Sequence, residues 1–126
     1  MIMTNYIKLR KDDGGVPGNE VSEYGDISNP VEFTLRIDLS EEKSKPLWVT
    51  TASGFISVDT VADVSGANMN KWSLSLDDVT YSPNINLGTV YHSGIQFYVK
   101  AEATSDELPQ KDYSVSINIE GIVEVE

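Results

Sequence analysis

The chain has 126 residues, a length typical of a single domain, and it carries a net charge of −11. Because it contains no cysteine, disulfides, thiol catalysis and cysteine-based zinc sites are excluded. The acidic excess argues against a nucleic-acid or anionic-membrane partner, since contacts to phosphate need lysine and arginine. The charge is uneven, because Lys8, Arg10 and Lys11 make the first eleven residues +3 and leave −14 for the rest.

Residues 1–28 predict an extended N-terminal arm that precedes the folded domain, residues 29–126. Residues 11–30 hold four glycines and two prolines, and a structureless loop of that length is uncommon inside a compact domain. Tyr6–Arg10 is a weak strand candidate, which would pair either with the chain's own sheet or with a neighbour's. No apolar segment precedes the first charges, so we expect synthesis in the cytosol without a secretory signal.

Six later segments alternate apolar and polar residues, which is typical of strands that have one buried and one solvated face. A weaker candidate is Ile85–Tyr91. Turn residues such as glycine, proline and serine separate these segments. The six predicted strands are Val31–Leu39, Leu47–Thr51, Ile56–Val64, Trp72–Asp77, Ile95–Thr104 and Tyr113–Glu126.

Two of these predicted strands have faces that can be assigned from the alternation. In the second half of the chain, Tyr113–Glu126 places its valines and isoleucines on a dry face and its serines and glutamates on a wet face. Ile122 is the one apolar residue on that wet face. In the segment Ile56–Val64, the even-numbered residues are predicted to face the core and Ser57 to face solvent. No sustained helical stripe appears, although residues 40–45 are predicted to form one helical turn.

The number and length of the strands predict an all-β fold, a single antiparallel β-sandwich of the immunoglobulin-like type. A jelly roll and a closed barrel are the alternatives. A wet face on each strand excludes a buried parallel sheet. The cysteine pair of antibody domains is absent, so Trp48 or Trp72 would have to pack without a disulfide.

Signals of catalysis are weak. The single histidine, His92, precedes Ser93-Gly94 at a predicted turn, and no Gly-x-Ser-x-Gly elbow is present. Adjacent carboxylates such as Asp77-Asp78 point to opposite sides of a strand or lie in solvated loops, unlike the facing carboxylates of a glycosidase. We therefore expect a protein that is not an enzyme and that has no catalytic residues.

No cofactor is expected, and calcium is the one ion that the loop aspartates bring into question. Asp12-Asp13-Gly14-Gly15 has the composition of a calcium loop but lacks the spacing and the distal glutamate of an EF-hand. Asp59 with Asp63, or Asp106 with Glu107, are alternative ligand pairs. Hydrated turn residues explain all three groups more simply, and Gly14–Gly18 lacks the Lys-Ser/Thr of a phosphate loop.

Several aromatic residues lie outside the predicted core registers, and they are Trp48, Tyr81, Tyr91 and Tyr98. Tyr98 is on the wet face of its strand. Exposed aromatic rings on one face of a sandwich can anchor a protein interface or stack on sugar rings.

The stretch Ile85–Thr104, together with Asp106–Pro109 and the strand that starts at Tyr113, resembles small immunoglobulin-like domains in virions of tailed bacteriophages. The resemblance covers about 40 residues and reflects sandwich architecture. Such domains decorate capsids, tails and baseplates. The resemblance implies a virion location, other virion subunits as partners and contact with host surfaces, and it supplies no residue-level site.

These observations together predict a structural protein of a phage virion, either capsid decoration or a tail or baseplate accessory, that assembles with other subunits and with copies of itself. A carbohydrate-binding or adhesion module, with a host-surface glycan as its partner, is the alternative. Neither a nucleic acid nor a membrane is expected as a partner. Deleting residues 1–12 is predicted to abolish assembly and to leave a folded domain. The candidate interface residues are Tyr6, Lys8, Arg10, Lys11, Tyr98 and Ile122.

Overall fold

A computed structural model describes residues 6–21, 31, 33–36, 41–66, 69–103 and 115–126. These residues form eight strands and one short 3-10 helix, Met69–Lys71. The predicted all-β class is confirmed. The strands are β1 (Ile7–Asp12), β2 (Pro17–Glu20), β3 (Glu42–Thr51), β4 (Phe55–Gly66), β5 (Trp72–Ser75), β6 (Asn84–Val90), β7 (Ile95–Glu102) and β8 (Val115–Val125).

The strands divide into two antiparallel sheets that form a β-sandwich. The larger sheet has the order β2-β1-β3-β7-β5, and the smaller has the order β6-β4-β8. Alternate residues of β3 and β7 point inward, because successive side chains of a strand face opposite sides of the sheet. They meet residues of the smaller sheet in a core whose largest fully buried apolar side chains are Phe97, Leu47, Leu74, Val49, Val90 and Val99.

The described part of the predicted N-terminal arm is not an extended lead-in. Residues 7–20 form a hairpin, and β1 pairs with β3 of the same chain from Ile7 opposite Thr51 to Lys11 opposite Leu47. Ile7 is buried in the core, and Leu9 packs against it. Of the two pairings considered for Tyr6–Arg10, the chain's own sheet is therefore the one observed. Residues 1–5 and 22–28 of the arm lie outside the described residues.

Strand β3 begins earlier than the sequence pattern predicted. The helical turn expected at residues 40–45 is wrong for its described part, because Glu42–Lys45 belong to β3 and pair with β7. Pro46 explains the difference, since a residue that precedes proline is pushed out of the helical region towards extended backbone. Residue 40 lies outside the described part of the chain.

The first strongly alternating segment, Val31–Leu39, shows the predicted burial in its described part but not the predicted strand. Phe33 and Leu35 are half-buried while Thr34 and Arg36 are exposed, and residues 33–36 belong to no strand. Side chains take up its backbone groups instead: Lys43 Nζ donates to the Thr34 carbonyl at 3.0 Å. Phe33 packs edge-on against the ring of Trp72, with ring centroids 5.4 Å apart.

Strand β4 contains a bulge that changes which residues face the core. Val58 pairs with Ile122 and Val61 with Glu120, so Asp59 and Thr60 together lie opposite the single residue Gly121. Asp59 has a φ of 51°, which lets the strand absorb the extra residue. The predicted outward position of Ser57 is therefore wrong, because Ser57 is fully buried. Asp59 is exposed, as predicted.

Strand β8 is confirmed as the long amphipathic strand predicted near the C-terminus, and it lies at an edge of the smaller sheet. Its first two predicted residues, Tyr113 and Ser114, lie outside the described part. None of the described helices is long and apolar enough to cross a membrane.

Candidate functional site

The solvent side of the larger sheet carries aromatic and polar side chains from three neighbouring strands. We call this surface the aromatic face and define it by Lys8, Arg10 and Asp12 of β1, Trp48 of β3, and Gln96, Tyr98 and Lys100 of β7. The register places Arg10, Trp48 and Gln96 in one row across the sheet, and Pro46 with Tyr98 in the next row. Their side chains share a side because directly paired residues point the same way.

Asp12 holds the centre of the aromatic face together. Its Oδ1 atom accepts a hydrogen bond from Trp48 Nε1 at 2.8 Å and another from Gln96 Nε2 at 3.2 Å. The second carboxylate oxygen accepts the backbone N–H of Gly15 at 3.3 Å, in the turn between β1 and β2. One carboxylate thus fixes the indole ring and the amide in a common arrangement.

Arg10 joins the first three strands of the larger sheet. Its Nε donates to the hydroxyl of Thr50 at 3.1 Å, and an Nη atom donates to the Gly18 carbonyl at 3.1 Å. The guanidinium lies 3.5 Å from a carboxylate oxygen of Glu20, and Lys8 Nζ lies 3.7 Å from the same carboxylate. Because these groups are part-exposed, such ion pairs contribute only about 0–1 kcal/mol each and mainly fix side-chain positions.

A second aromatic ring, that of Tyr81, borders the face beside β7. Lys100 Nζ lies 4.4 Å from the centroid of this ring, a cation–π distance. The Tyr81 hydroxyl donates to Asp78. Burial, followed by that hydrogen bond, raises the pKa of Tyr81 to about 12, while a hydrogen bond from Ser44 opposes the shift. Tyr98 also acts on this hydroxyl, so the two tyrosines are near neighbours.

The loop at residues 76–80, which precedes Tyr81, is ordered by Asp77. Its Oδ1 atom accepts hydrogen bonds from the Ser75 hydroxyl and from the N–H groups of Val79 and Thr80, at 2.8–2.9 Å. This turn presents two apolar side chains to solvent, since Leu76 is 48% exposed and Val79 is 80% exposed. The side chain of Asp77 therefore replaces packing as the source of order in the loop.

The pH dependence of this loop provides a direct test of the Asp77 turn. The N–H of Thr80, the Ser75 hydroxyl and the N–H of Val79 lower the pKa of Asp77 from 3.8 to about 2. A lowered pKa means that the turn is stabilised above the ordinary pKa and loses that stabilisation as the pH falls towards 2. We expect the amide NMR shifts of Val79 and Thr80 to titrate with a midpoint near 2. The same transition should vanish in Asp77→Asn, and a midpoint near 3.8 would contradict the arrangement.

The edge strand β8 offers a different kind of surface, which we call the β8 edge and define as Gly121–Glu126. Ile122 is 57% exposed and Val125 is 78% exposed, and Glu124 and Glu126 are exposed beside them. The alternative in which the chain's own N-terminal segment buries Ile122 is not observed among the described residues. At the strand's end, the N–H of Glu126 donates to the Gly54 carbonyl at 2.9 Å.

The six predicted interface residues do not form one surface. Lys8, Arg10 and Tyr98 lie on the aromatic face, whereas Ile122 lies on the opposite sheet at the β8 edge. Tyr6 precedes β1 and packs edge-on against Phe55, with ring centroids 4.9 Å apart. Lys11 is half-buried in β1, opposite Leu47. The sequence did not single out Gln96 or Asp12 for this face, although Gln96 stands on the predicted wet side of its strand.

The residues considered for catalysis or metal binding do not gather into a site. His92 is exposed at the turn between β6 and β7, as predicted, and its Nδ1 lies 2.5 Å from the Thr51 carbonyl oxygen. Within the described ranges, no three His, Cys, Asp or Glu side chains come together to hold a metal ion. Asp63 accepts a hydrogen bond from Asn118 at 3.0 Å, while Asp106 and Glu107 lie outside the described part of the chain.

Comparison with family models, curated proteins and solved structures gave no match. The function must therefore be inferred from the two surfaces of this chain, the aromatic face and the β8 edge.

Proposed function

We propose that this protein is a non-enzymatic structural component of a tailed-phage virion, of the immunoglobulin-like type, and that it acts by assembly with other protein subunits. The β8 edge carries the proposal. Edge strands present unpaired backbone groups that readily add a further strand, and exposed apolar residues such as Ile122 and Val125 give such a contact its affinity. Structural support for the subclass is limited to the two antiparallel sheets.

The charge of the β8 edge defines the partner further. Glu120, Glu124 and Glu126 surround Ile122 and are exposed. These carboxylates repel a second acidic edge, and therefore favour a partner segment that offers basic side chains around an apolar contact. Lys8 and Arg10 fit that role less well than their sequence suggested, because in this structure they are engaged with Glu20.

A virion location predicts that the protein is a stoichiometric part of particles. Gradient-purified particles from the source culture, probed with antibodies against this chain, should contain it at the density of the particles. A protein found only in the soluble fractions would contradict the proposal. This experiment tests the location alone and does not depend on which surface makes the contact.

Substitution of Ile122 tests the role of the β8 edge. Ile122→Thr keeps a β-branched residue in the strand and removes the apolar contact, so the fold should be retained. We expect occupancy in particles, or self-association measured by light scattering, to weaken roughly tenfold, the effect of losing one central apolar contact. Val79→Thr is the matched control, because Val79 is also exposed but lies in the loop after β5. Equal behaviour of the two variants would contradict the assignment.

A further inference from the structure

We propose that the aromatic face binds an uncharged oligosaccharide, with Trp48 and Tyr98 as the stacking rings and Gln96 as a hydrogen-bonding group between them. This site is independent of the assembly role, because it lies on the larger sheet and the β8 edge belongs to the smaller one.

The spacing of the rings supports a ligand made of repeated rings. Trp48 pairs with Gln96, and Tyr98 is two residues further along β7, so Trp48 and Tyr98 are diagonal neighbours. Diagonal neighbours in an antiparallel pair lie roughly 7–8 Å apart. Tyr81 continues the series beyond Tyr98, at the Lys100 end of the face. Aromatic faces carry partial negative charge and attract the C–H groups that a pyranose ring presents on its faces.

The central groups are held in place before any ligand arrives. Trp48 has its indole N–H fixed by Asp12, and the amide of Gln96 is fixed by the same carboxylate oxygen. Asp12 in turn is ordered by the N–H of Gly15. A fixed ring and amide lose little conformational entropy on binding, which favours recognition of a weakly interacting ligand such as a sugar.

The charges of the aromatic face favour an uncharged ligand. Lys8 and Arg10 are matched by Glu20, and Lys100 Nζ lies 3.4 Å from a carboxylate oxygen of Glu102. Asp12 supplies a third negative charge, so three basic and three acidic groups balance on a chain whose net charge is −11. An anionic polymer would meet the acidic remainder of the molecule, and a cationic one finds no excess of negative charge here.

The distribution of exposed apolar residues favours a sugar over a protein on this face. The strongly exposed large apolar residues of the described chain include Leu76, Val79, Ile122 and Val125, and none of them belongs to the aromatic face. Its rings are half-buried and stand among hydrogen-bonding side chains. Protein interfaces concentrate binding energy in apolar centres that exclude water, whereas a sugar needs rings and polar groups side by side.

Binding of defined sugars tests the proposal. The probes are uncharged hexasaccharides of glucose or N-acetylglucosamine in α-1,4, β-1,3 and β-1,4 linkage, titrated into the full chain to millimolar concentration by calorimetry. We expect at least one probe to bind, and Trp48→Ala or Tyr98→Ala to weaken that binding roughly tenfold to thirtyfold, the loss typical of a central aromatic contact. Trp48→Phe, which keeps a ring but loses the bond to Asp12, should weaken it less.

The matched control is Tyr91→Ala, since Tyr91 is 52% exposed but lies in the turn after β6, away from the aromatic face. It should bind like the unmodified protein, and circular dichroism should show that every variant keeps its sheet content. Absence of binding to all probes would overturn the proposal. It would also be overturned by binding to heparin alone that salt abolishes, or by self-association that Trp48→Ala removes. Ile122→Thr should retain sugar binding, so failure here and failure of the assembly role are distinguishable.

Discussion

Replacing Gly121 with alanine is expected to destabilise the protein by about 3 kcal/mol, because overpacking a filled site costs about 1–3 kcal/mol and disturbing a buried hydrogen bond costs more. A Cβ atom at Gly121 would lie 2.1 Å from Ser57 Oγ and 2.9 Å from Thr60 Oγ1. Ser57 and Thr60 are fully buried, and their hydroxyls bond to each other at 2.6 Å. Neither hydroxyl can move away without leaving a buried polar group unpaired.

Urea denaturation measures this effect, since a change in midpoint at constant slope reports a change in the free energy of unfolding. The control is Ser116→Ala, which alters an exposed residue of the same strand and should change the free energy of unfolding by less than about 0.5 kcal/mol. A Gly121→Ala variant as stable as that control would show that the bulge of β4 and the hydroxyl pair are not arranged as described.

A double-mutant cycle isolates the cause. In a Ser57→Ala background the atom nearest to the new methyl group is absent, although Thr60 loses its hydroxyl partner. We expect Gly121→Ala to cost less in that background than in the unmodified protein, because neighbouring residues that share a contact are not additive. Equal costs in both backgrounds would place the strain elsewhere.

The bulge of β4 shows where alternation in the sequence stops being informative. A strict period of two predicted that Ile56 and Val58 face the core and Ser57 faces solvent. One extra residue, at Asp59, reverses the facing of everything before it, so Ser57 is buried while Ala62 and Val64 keep their predicted orientation. Asp at a positive φ is tolerated at such a bulge. Nothing in the local composition distinguishes this position from a regular one, because Asp also suits a solvent-facing site.

The aromatic face could be predicted in part. Tyr98 was expected on the wet side of its strand, and Trp48 was among the aromatic residues outside the core pattern. The link between them depends on the pairing of β3 with β1 and β7, which brings Asp12 to Trp48 across 36 positions of sequence and to Gln96 across 84. A single sequence contains no signal of such register. Asp12 was therefore interpreted as a turn residue, and its role in fixing the ring emerged only from the strand order.

The position of β1 changes the expected result of removing residues 1–12. The sequence alone predicted loss of assembly with a folded domain left behind, but β1 supplies Ile7 to the core and forms a five-pair ladder with β3. Losing a buried isoleucine side chain alone costs about 2–5 kcal/mol, and small domains are stable by only about 5–15 kcal/mol in total. The truncated chain would also expose an edge of β3, next to Leu47 and Val49. We therefore expect it to unfold or aggregate.

Far-UV circular dichroism and the dispersion of amide NMR signals measure this outcome on purified protein. Removal of residues 1–5 is the matched control, because it leaves β1 intact and should preserve cooperative unfolding. The two deletions thus separate the role of β1 in the fold from any role of the preceding residues in assembly. A chain without residues 1–12 that stays soluble and unfolds cooperatively would show that β1 is dispensable to the sandwich. In that case the basic residues Lys8 and Arg10 would again be available to a neighbouring subunit, as the charge distribution first indicated.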